Sequence, residues 1–456
     1  MLTRRQTLRA LAGGSLLAAT PWRRPARARP SAPDIVVILS DNHRWDAMSG
    51  TGHPFVRTPH MDRLGREGLC FANAYCTTPL CSPARASFLT GLYAWRHGVR
   101  NNADRSHWDD EQVTFLELLQ RAGGYRTAFI GKWHMPGSGL PRLRGVDHFV
   151  TFTVNQGQGR YVDCPLVVDG REEASHRPYL TEELTARAID FLAAAAGAPT
   201  CLYLSHKAAH HPWRPASDLE DLYADQPVPM PAGANSWTGL TNGQIWGGFD
   251  RSIESAYRAY MATVTSLDRE IGRLLAHLEA RGRLDRTVVV YASDNGFLFG
   301  EHRRVELRWP FEEVIRIPLL VRHPPSVRAP GRRAAQMALN IDLAPTLLEL
   351  AGVPVPAAMQ GRSLVPALRD PTAPGRRAWL VESAREFPYR VPSYQGVHTE
   401  QYLYVEYDGG HATLHDVRAD PQQQRDLIDS AAAARVLPEL RALLAALRRG
   451  ERVDQA

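Results

Sequence analysis

Lysine is nearly absent from this chain of 456 residues. Among its 54 lysine and arginine side chains, only Lys132 and Lys207 are lysine. Lysine offers a compact charge and a transferable proton, which arginine does not at accessible pH. We therefore expect both lysines to serve a site with that requirement, and chance retention on the surface is the alternative interpretation.

Cysteine is scarce as well, and no segment beyond the N-terminus is apolar enough to cross a membrane. The cysteines number five, so at least one of them has no partner within the chain. Cys81 is set apart because it alone lies in a recognisable chemical motif. Spacing does not decide whether the other four form disulfides or are buried thiols, and these are Cys70, Cys76, Cys164 and Cys201.

Acidic residues are missing from the first 29 residues, which contain seven arginines. Arg4-Arg5 precede an apolar stretch from Leu11 to Thr20 and the sequence Ala26-Arg27-Ala28, a pattern typical of a twin-arginine export signal over residues 1–28. The stretch is too short for a membrane anchor. Cleavage after Ala28 would remove six arginines and bring the formal charge of +6 to zero. We therefore predict export by the twin-arginine translocase to the periplasm or the medium, no stable membrane span and no nucleic-acid partner.

Short apolar runs that end in polar residues indicate the fold class. Continuous hydrophobicity is typical of strands covered on both faces, as in a mostly parallel α/β sheet. Helices are expected between them, at Thr181–Ala195 and Ser252–Arg281. Ligand sites of such sheets lie beyond the carboxyl ends of the strands, so the polar residues that follow these runs should surround one crevice. The runs are Asp34–Leu39, Tyr125–Ile130, Cys201–Leu204 and Thr287–Tyr291.

The character of the chain changes near Pro374. Strand-like runs such as Leu403–Tyr407 are separated there by glycine-containing turns, and an alanine- and leucine-rich helix is expected around Leu437 to Arg449. We predict a large domain over residues 34–373 and a small C-terminal α+β domain over residues 374–456, with an antiparallel sheet.

The segment Cys81–Arg85, with the sequence Cys-Ser-Pro-Ala-Arg, is similar to the sulfatase signature, in which the cysteine of C-x-P-x-R is converted to formylglycine. The chain resembles the sulfatase family of the alkaline-phosphatase-like superfamily in further segments that follow in order. The resemblance implies a three-layer αβα core and hydrolysis of a sulfate ester or sulfamate, that is, a sulfuric ester hydrolase. The matching segments include Ser87–Gly91, Gly131–His134, Ala209–Pro212, Asp294–Gly296 and Gln360–Leu364.

The resemblance implies a divalent cation, usually calcium, with magnesium or manganese as alternatives. Hard oxygen ligands suit such a cation. A turn is the alternative role for an Asp-Asn pair after a strand, but two such pairs on converging strands favour a metal. The implied ligands are Asp41, Asn42, Asp294 and Asn295.

The resemblance also implies catalytic roles. Cys81, oxidised by a formylglycine-generating enzyme, would supply the nucleophile, and Arg85 would hold it. Lys132 would contact sulfate oxygens and His134 would orient or deprotonate the nucleophile, while His210 would donate to the leaving oxygen. The substrate would be a sulfated small molecule or glycan, and the segment Asn235–Asp250 is expected to line the mouth of the site.

Two positions depart from the family pattern. Asn42 stands where an aspartate is usual, which predicts a less tightly held cation. Leu307 stands where relatives usually carry a second active-site lysine, so we expect Lys207, rather than the neighbouring Arg308, to take over part of that role. Two alternatives remain open: a phosphodiester or phosphonate monoester hydrolase of the same superfamily, and a non-catalytic binding protein.

Overall fold

A computed structural model describes residues 32–103, 106–137, 139–195, 197–229, 231 and 252–454. The predicted export signal and the segment Asn235–Asp250 lie outside the described residues.

Ten of the described strands form one mixed sheet: β1 (Asp34–Ser40), β2 (Leu69–Tyr75), β3 (Arg126–Gly131), β4 (His148–Thr151), β5 (Leu166–Val168), β6 (Arg171–Glu173), β7 (Thr200–Ser205), β8 (Thr287–Ser293), β9 (Leu319–Arg322) and β10 (Arg333–Leu339). Their order across the sheet is β10-β2-β9-β8-β1-β7-β3-β4-β5-β6. β9 is antiparallel to both of its neighbours, and β5 and β6 form an antiparallel edge, while the centre of the sheet is parallel.

The four runs singled out in the sequence are neighbours in this sheet. They form the parallel block β8-β1-β7-β3, in which Ser40 pairs with Ser293, and Ser205 pairs with both Leu39 and Gly131. Their carboxyl ends are therefore level, and the polar residues that follow each strand meet above the same edge of the sheet.

Hydrophobic residues cover both faces of the sheet. Ile35, Val37 and Leu39 of β1 belong to one apolar cluster, whereas Val36 and Ile38 belong to the other. This alternation requires helices on both sides and produces three layers. The helices are α1 (Pro59–Glu67), α2 (Cys81–Thr90), α3 (Ala94–His97), α4 (Phe115–Gly123), α5 (Leu180–Ala193), α6 (Ile253–Ala280), α7 (Glu312–Ile315), α8 (Leu343–Leu350), α9 (Val365–Arg369) and α10 (Ala431–Arg448).

A separate antiparallel sheet follows, with its four strands in chain order. Its residues Trp379 and Leu380 are buried in the same apolar cluster as Ile35 of the large sheet, so the two sheets share one core. The helix α10 begins six residues before the predicted start because the Ser430 side chain accepts a hydrogen bond from the Ala433 N–H and caps it. The strands are β11 (Ala378–Ser383), β12 (Tyr394–Thr399), β13 (Tyr402–Tyr407) and β14 (Ala412–Asp416).

The predicted fold class is confirmed: a three-layer core with a mostly parallel sheet carries a small antiparallel sheet and a final helix. The domain boundary at residue 374 stays a prediction. All five cysteines are free thiols. Within the described ranges, no helix combines the length and the apolarity that a membrane crossing requires.

Candidate active site

The ends of β1 and β8 bring two pairs of polar residues together. The backbone N–H of Asn42 donates to the Asp294 carboxylate over 3.0 Å, and the Asn295 side-chain amide donates to the Asn42 side-chain oxygen over 2.7 Å. Asn42 adopts a left-handed backbone with φ of 58°, which asparagine tolerates better than most residues. The four implied ligands, completed by Asp41, are all buried.

Glycine fixes two of the turns that build this site. A Cβ on Gly131, where φ is 119°, would lie 1.9 Å from the Ser205 carbonyl oxygen, so only glycine lets the chain turn from β3 to Lys132. A Cβ on Gly296 would lie 2.0 Å from the Glu313 carbonyl oxygen, directly after the second polar pair. Both glycines are required by close backbone approach.

Cys81 is the first residue of α2 and faces the polar pairs. Its Sγ lies 3.7 Å from an Asp41 carboxylate oxygen. One turn further along α2, the Arg85 Nη2 lies 2.8 Å from Asp294 and 3.3 Å from Asp41, and its Nη1 donates to the Ser205 hydroxyl over 2.6 Å. The helix therefore presents a thiol and a buried cation to the same two carboxylates.

Lys132 and His134 follow β3 into the same crevice. Lys132 forms a buried ion pair with Asp41, and its Nζ also donates to the Gln158 side-chain oxygen over 2.5 Å. The Gln158 amide nitrogen donates to the His134 Nε2 over 3.0 Å. Because Nε2 accepts this hydrogen bond, the proton of the neutral His134 ring lies on Nδ1. Gln158 is a contact that the sequence analysis missed, because no strand end or motif singles it out.

Lys207 and His210 follow β7. The Lys207 Nζ donates to the His211 carbonyl over 3.1 Å and lies 5.2 Å from the centre of the Tyr161 ring. The His210 Nδ1 lies 2.6 Å from the same His211 carbonyl, so Nδ1 carries the proton and Nε2 the lone pair. Ligand atoms of His210, Asp41 and Cys81 all lie within 4.8 Å of one another.

Burial shifts the ionisation of this cluster. Burial raises the pKa of the Cys81 thiol to about 12, although the Lys132 ammonium opposes the shift. Burial and the positive charge of Lys132 lower the pKa of Lys207 to about 7, and the same two causes hold the pKa of His134 and His210 well below the usual range. The thiol and both imidazoles are therefore neutral at neutral pH.

The donor set fits a hard divalent cation. The Asn295 Oδ1 is buried and has no hydrogen-bond partner among the described residues. Burial, and then the neighbouring Asp41 carboxylate, raise the pKa of Asp294 although Arg85 and Lys132 oppose the shift, so the two buried acids would accept further positive charge. A divalent cation would supply that charge, and carboxylate and amide oxygens are the ligands it prefers.

Position 307 does not face the crevice. The Leu307 side chain is 1% exposed and packs in the apolar cluster that includes Val305 and Phe297. Arg308 has a backbone φ of 81° and is also buried. Its side chain lies on the side of the crevice, since its charge is among those that lower the pKa of His134. Of these two neighbours, Arg308 is therefore the one whose charge acts on His134. Whether Lys207 or Arg308 replaces the family lysine stays a prediction.

Other histidines of the crevice edge have structural contacts. Both ring nitrogens of His43 are engaged, by the Tyr291 hydroxyl and, at 2.9 Å, by the Ala47 carbonyl oxygen.

An open groove of about 1070 Å³ leads outward from His134, and its walls include Trp108, Met135, Leu140, Arg142 and Gln156. The groove gives the crevice room for a substrate larger than sulfate.

Two family models match the chain. A model for sulfatases matches residues 33–353, and a model for the C-terminal part of N-sulphoglucosamine sulphohydrolase matches residues 300–450.

Relatives and solved structures are similar to almost the whole chain. The chain is 31% identical to an N-acetylglucosamine-6-O-sulfatase of Bacteroides thetaiotaomicron, over 92% of this chain and 87% of the relative. A solved structure in complex with its substrate D-glucosamine-2-N,6-O-disulfate superimposes with a TM-score of 0.82 at 30% identity, over 92% of this chain and 98% of that one. A phosphonate monoester hydrolase of Agrobacterium radiobacter gives a TM-score of 0.77 at 22% identity, over 92% and 96%, and shares the fold.

Proposed function

Because the chain belongs to the sulfatase family and is a sulfuric ester hydrolase, we propose that it hydrolyses the 6-O-sulfate ester of a glucosamine-type sugar with a nucleophile made from Cys81. The observation that carries the proposal is the convergence of Cys81, Arg85 and Lys132 on Asp41 and Asp294 at the level carboxyl ends of the strands. The choice of sugar rests on the name of the sulfatase relative and on the ligand of the solved structure.

The state of Cys81 supports its modification. A buried thiol with a pKa of about 12 carries almost no thiolate at neutral pH, and the thiolate is the reactive form of cysteine. Oxidation to formylglycine by a formylglycine-generating enzyme would supply a hydroxyl nucleophile from the hydrated aldehyde, and a cation on Asp41, Asn42, Asp294 and Asn295 would neutralise sulfate oxygens. Calcium suits these oxygen donors, with magnesium or manganese as alternatives.

The remaining residues have roles that follow from their contacts. Arg85 neutralises Asp41 and Asp294 and fixes α2 against them. Lys132 presents an ammonium group next to the nucleophile position, where it would bind a sulfate oxygen. The buried Nδ1 of His134 has no hydrogen-bond partner among the described residues, and its proton would orient the nucleophile.

The leaving group requires a proton at its oxygen. His210 holds its own proton on Nδ1 with the His211 carbonyl, so Nε2 must take up a proton before it can give one to the departing alcohol. A bound sulfate ester is an anion and stabilises the imidazolium form of His210. Lys207 and Arg308 would add positive charge around the same anion.

The experiment uses the full chain made together with a formylglycine-generating enzyme. We expect N-acetylglucosamine 6-sulfate to be hydrolysed with a higher kcat/KM than 4-nitrophenyl sulfate, because the groove beyond His134 adds contacts for the sugar. A preference for 4-nitrophenyl phenylphosphonate over both sulfate esters would favour the phosphonate hydrolase alternative. Absence of turnover on all three would favour the binding protein.

Export is part of the proposal. The pattern of residues 1–28 supports passage through the twin-arginine translocase to the periplasm or the medium. Cell fractionation of the full chain, compared with an Arg4→Lys, Arg5→Lys variant, tests it: the paired variant should remain in the cytoplasm as the uncleaved chain.

A further inference from the structure

Arg308 pairs with Glu386, which lies in the loop between β11 and β12, residues 384–393. We propose that Glu386 is a positioning residue. It holds the Arg308 guanidinium beside residues 79–82, which include Cys81 and are called the nucleophile turn below. The inference rests on the proposed function, because it assumes that an anionic sulfate group binds beside Cys81. The proposal gives the C-terminal sheet a role in the site, because Glu386 comes from this sheet and not from the large domain.

The carboxylate of Glu386 engages one edge of the Arg308 guanidinium. The Arg308 Nε donates to the Glu386 Oε2 over 2.9 Å, and Nη2 donates to the same oxygen. The ring of Tyr389, from the same loop, covers the guanidinium face at 3.5 Å. Both members of the ion pair are buried, at 3% exposure for Arg308 and 5% for Glu386. The guanidinium is thus fixed in both plane and direction.

One nitrogen of Arg308 is left for a ligand. Nη1 is buried and has no hydrogen-bond partner among the described residues. A buried N–H group without a partner is costly, so such a donor indicates that something else completes the site. Arg308 lies close to the nucleophile, because its backbone N–H donates to the carbonyl of Pro79, two residues before Cys81, over 3.0 Å. An oxygen of a bound sulfate ester is the matching acceptor.

The second oxygen of Glu386 reaches the nucleophile turn. Oε1 accepts a hydrogen bond from the Asn102 backbone N–H over 3.0 Å, and the Asn102 side-chain oxygen accepts one from the Ser82 backbone N–H, also over 3.0 Å. Ser82 directly follows Cys81 in α2. These contacts anchor the second oxygen of Glu386 beside the residue that carries the nucleophile, so the carboxylate that holds Arg308 is itself fixed there.

This geometry matters because a catalytic cation acts only at the right distance. A displacement of about 1 Å can cost roughly 100-fold in rate. Arginine has a long side chain with many rotamers, and without a fixed partner the guanidinium would sample several of them. If Glu386 acts through Arg308, its removal should matter only while Arg308 is present. If Glu386 only stabilised the fold, its removal would lower kcat/KM by the same factor whether or not Arg308 was present.

The test is a double-mutant cycle on the full chain, made with a formylglycine-generating enzyme. The variants are Glu386→Gln, Glu386→Ala, Arg308→Ala and the paired Glu386→Ala, Arg308→Ala. Glu382→Gln is the matched control, because Glu382 is also a buried acid of this region but its carboxylate accepts from the Trp95 N–H. kcat and KM are measured with N-acetylglucosamine 6-sulfate, and the melting temperature is measured with and without inorganic sulfate.

We expect Arg308→Ala and Glu386→Ala each to lower kcat/KM by about 100-fold, and the paired variant to lose no more than Arg308→Ala alone. Glu386→Gln, which keeps the shape and loses the charge, should lose about 10-fold, and Glu382→Gln should match the wild type. Sulfate should raise the melting temperature of the wild type and the control more than that of the Arg308 and Glu386 variants.

Losses that multiply in the paired variant would overturn the proposal, and so would wild-type kinetics in Glu386→Gln and Glu386→Ala. If Glu386→Ala does not fold, the cycle is completed with Glu386→Gln. A wild-type chain that turns over no sulfate ester would contradict the proposed function, and the sulfate-dependent melting temperatures would still test the coupling between Glu386 and Arg308.

Discussion

Leu307 and Arg308 are neighbours in the chain and lie in different environments. Leu307 is packed in the apolar core, whereas Arg308 is at the site, stacked on Tyr389 and paired with Glu386. A family pattern read along the sequence locates a position but not the direction of its side chain. The left-handed backbone at Arg308, which sequence does not reveal, decides which of the two residues reaches the crevice.

Two cations compete for the role of the missing lysine, and their contacts predict different contributions. Lys207 has a pKa of about 7 because of burial and Lys132, so a large part of its population is neutral at neutral pH. Arg308 stays charged. We expect Arg308→Ala to lower kcat/KM about 100-fold and Lys207→Ala about 10-fold, measured with the best sulfate ester. Arg304→Ala is the control, since the Arg304 guanidinium stacks on Trp309 at 3.8 Å instead.

The result that would restore the sequence-based expectation is a large loss of kcat/KM in Lys207→Ala with an unaffected Arg308→Ala.

Leu307→Lys should not increase turnover. It would place a charge in the apolar cluster, where burial is costly, and should lower the melting temperature.

Strand ends are the elements that the sequence predicts best. The apolar runs before Asp41, Lys132, Lys207 and Asp294 are long enough and flanked by clear enough signals to identify buried parallel strands, and their convergence follows from sheet geometry. The contacts of Gln158, Asn102 and Glu386 were not predictable in the same way. These residues lie in loops, and their positions depend on tertiary packing that has no period in the sequence.

The two neighbouring strand ends β1 and β8 are expected to share one cation. Asp294→Ala removes a charged oxygen donor, so activity should fall by at least about 100-fold, and added calcium should no longer raise the melting temperature as it does for the wild type. Differential scanning calorimetry with and without calcium, after treatment with a chelator, measures this directly. Asp46→Ala is a suitable control, because Asp46 pairs with Arg44 instead. Full activity of the chelated wild type would contradict the metal site.

At the scale of the whole molecule, the two sheets share one of the two apolar clusters. Trp379 and Leu380 of the small sheet are buried in the cluster that also contains Ile35, and the loop after β11 reaches the crevice through Glu386. The sequence showed that the C-terminal part differs in character from the rest of the chain. It did not show that this part contributes residues to the site, because a shift in composition indicates a boundary and not which surfaces pack together.

The most direct test of the account concerns residue 81. The full chain is produced with and without a formylglycine-generating enzyme, and the peptide that contains residue 81 is analysed by mass spectrometry alongside turnover of N-acetylglucosamine 6-sulfate. We predict that turnover rises in proportion to the fraction in which an aldehyde has replaced the Cys81 thiol, and that Cys81→Ala abolishes turnover with a nearly unchanged melting temperature. A fully active preparation in which residue 81 is still an unmodified cysteine would contradict the account.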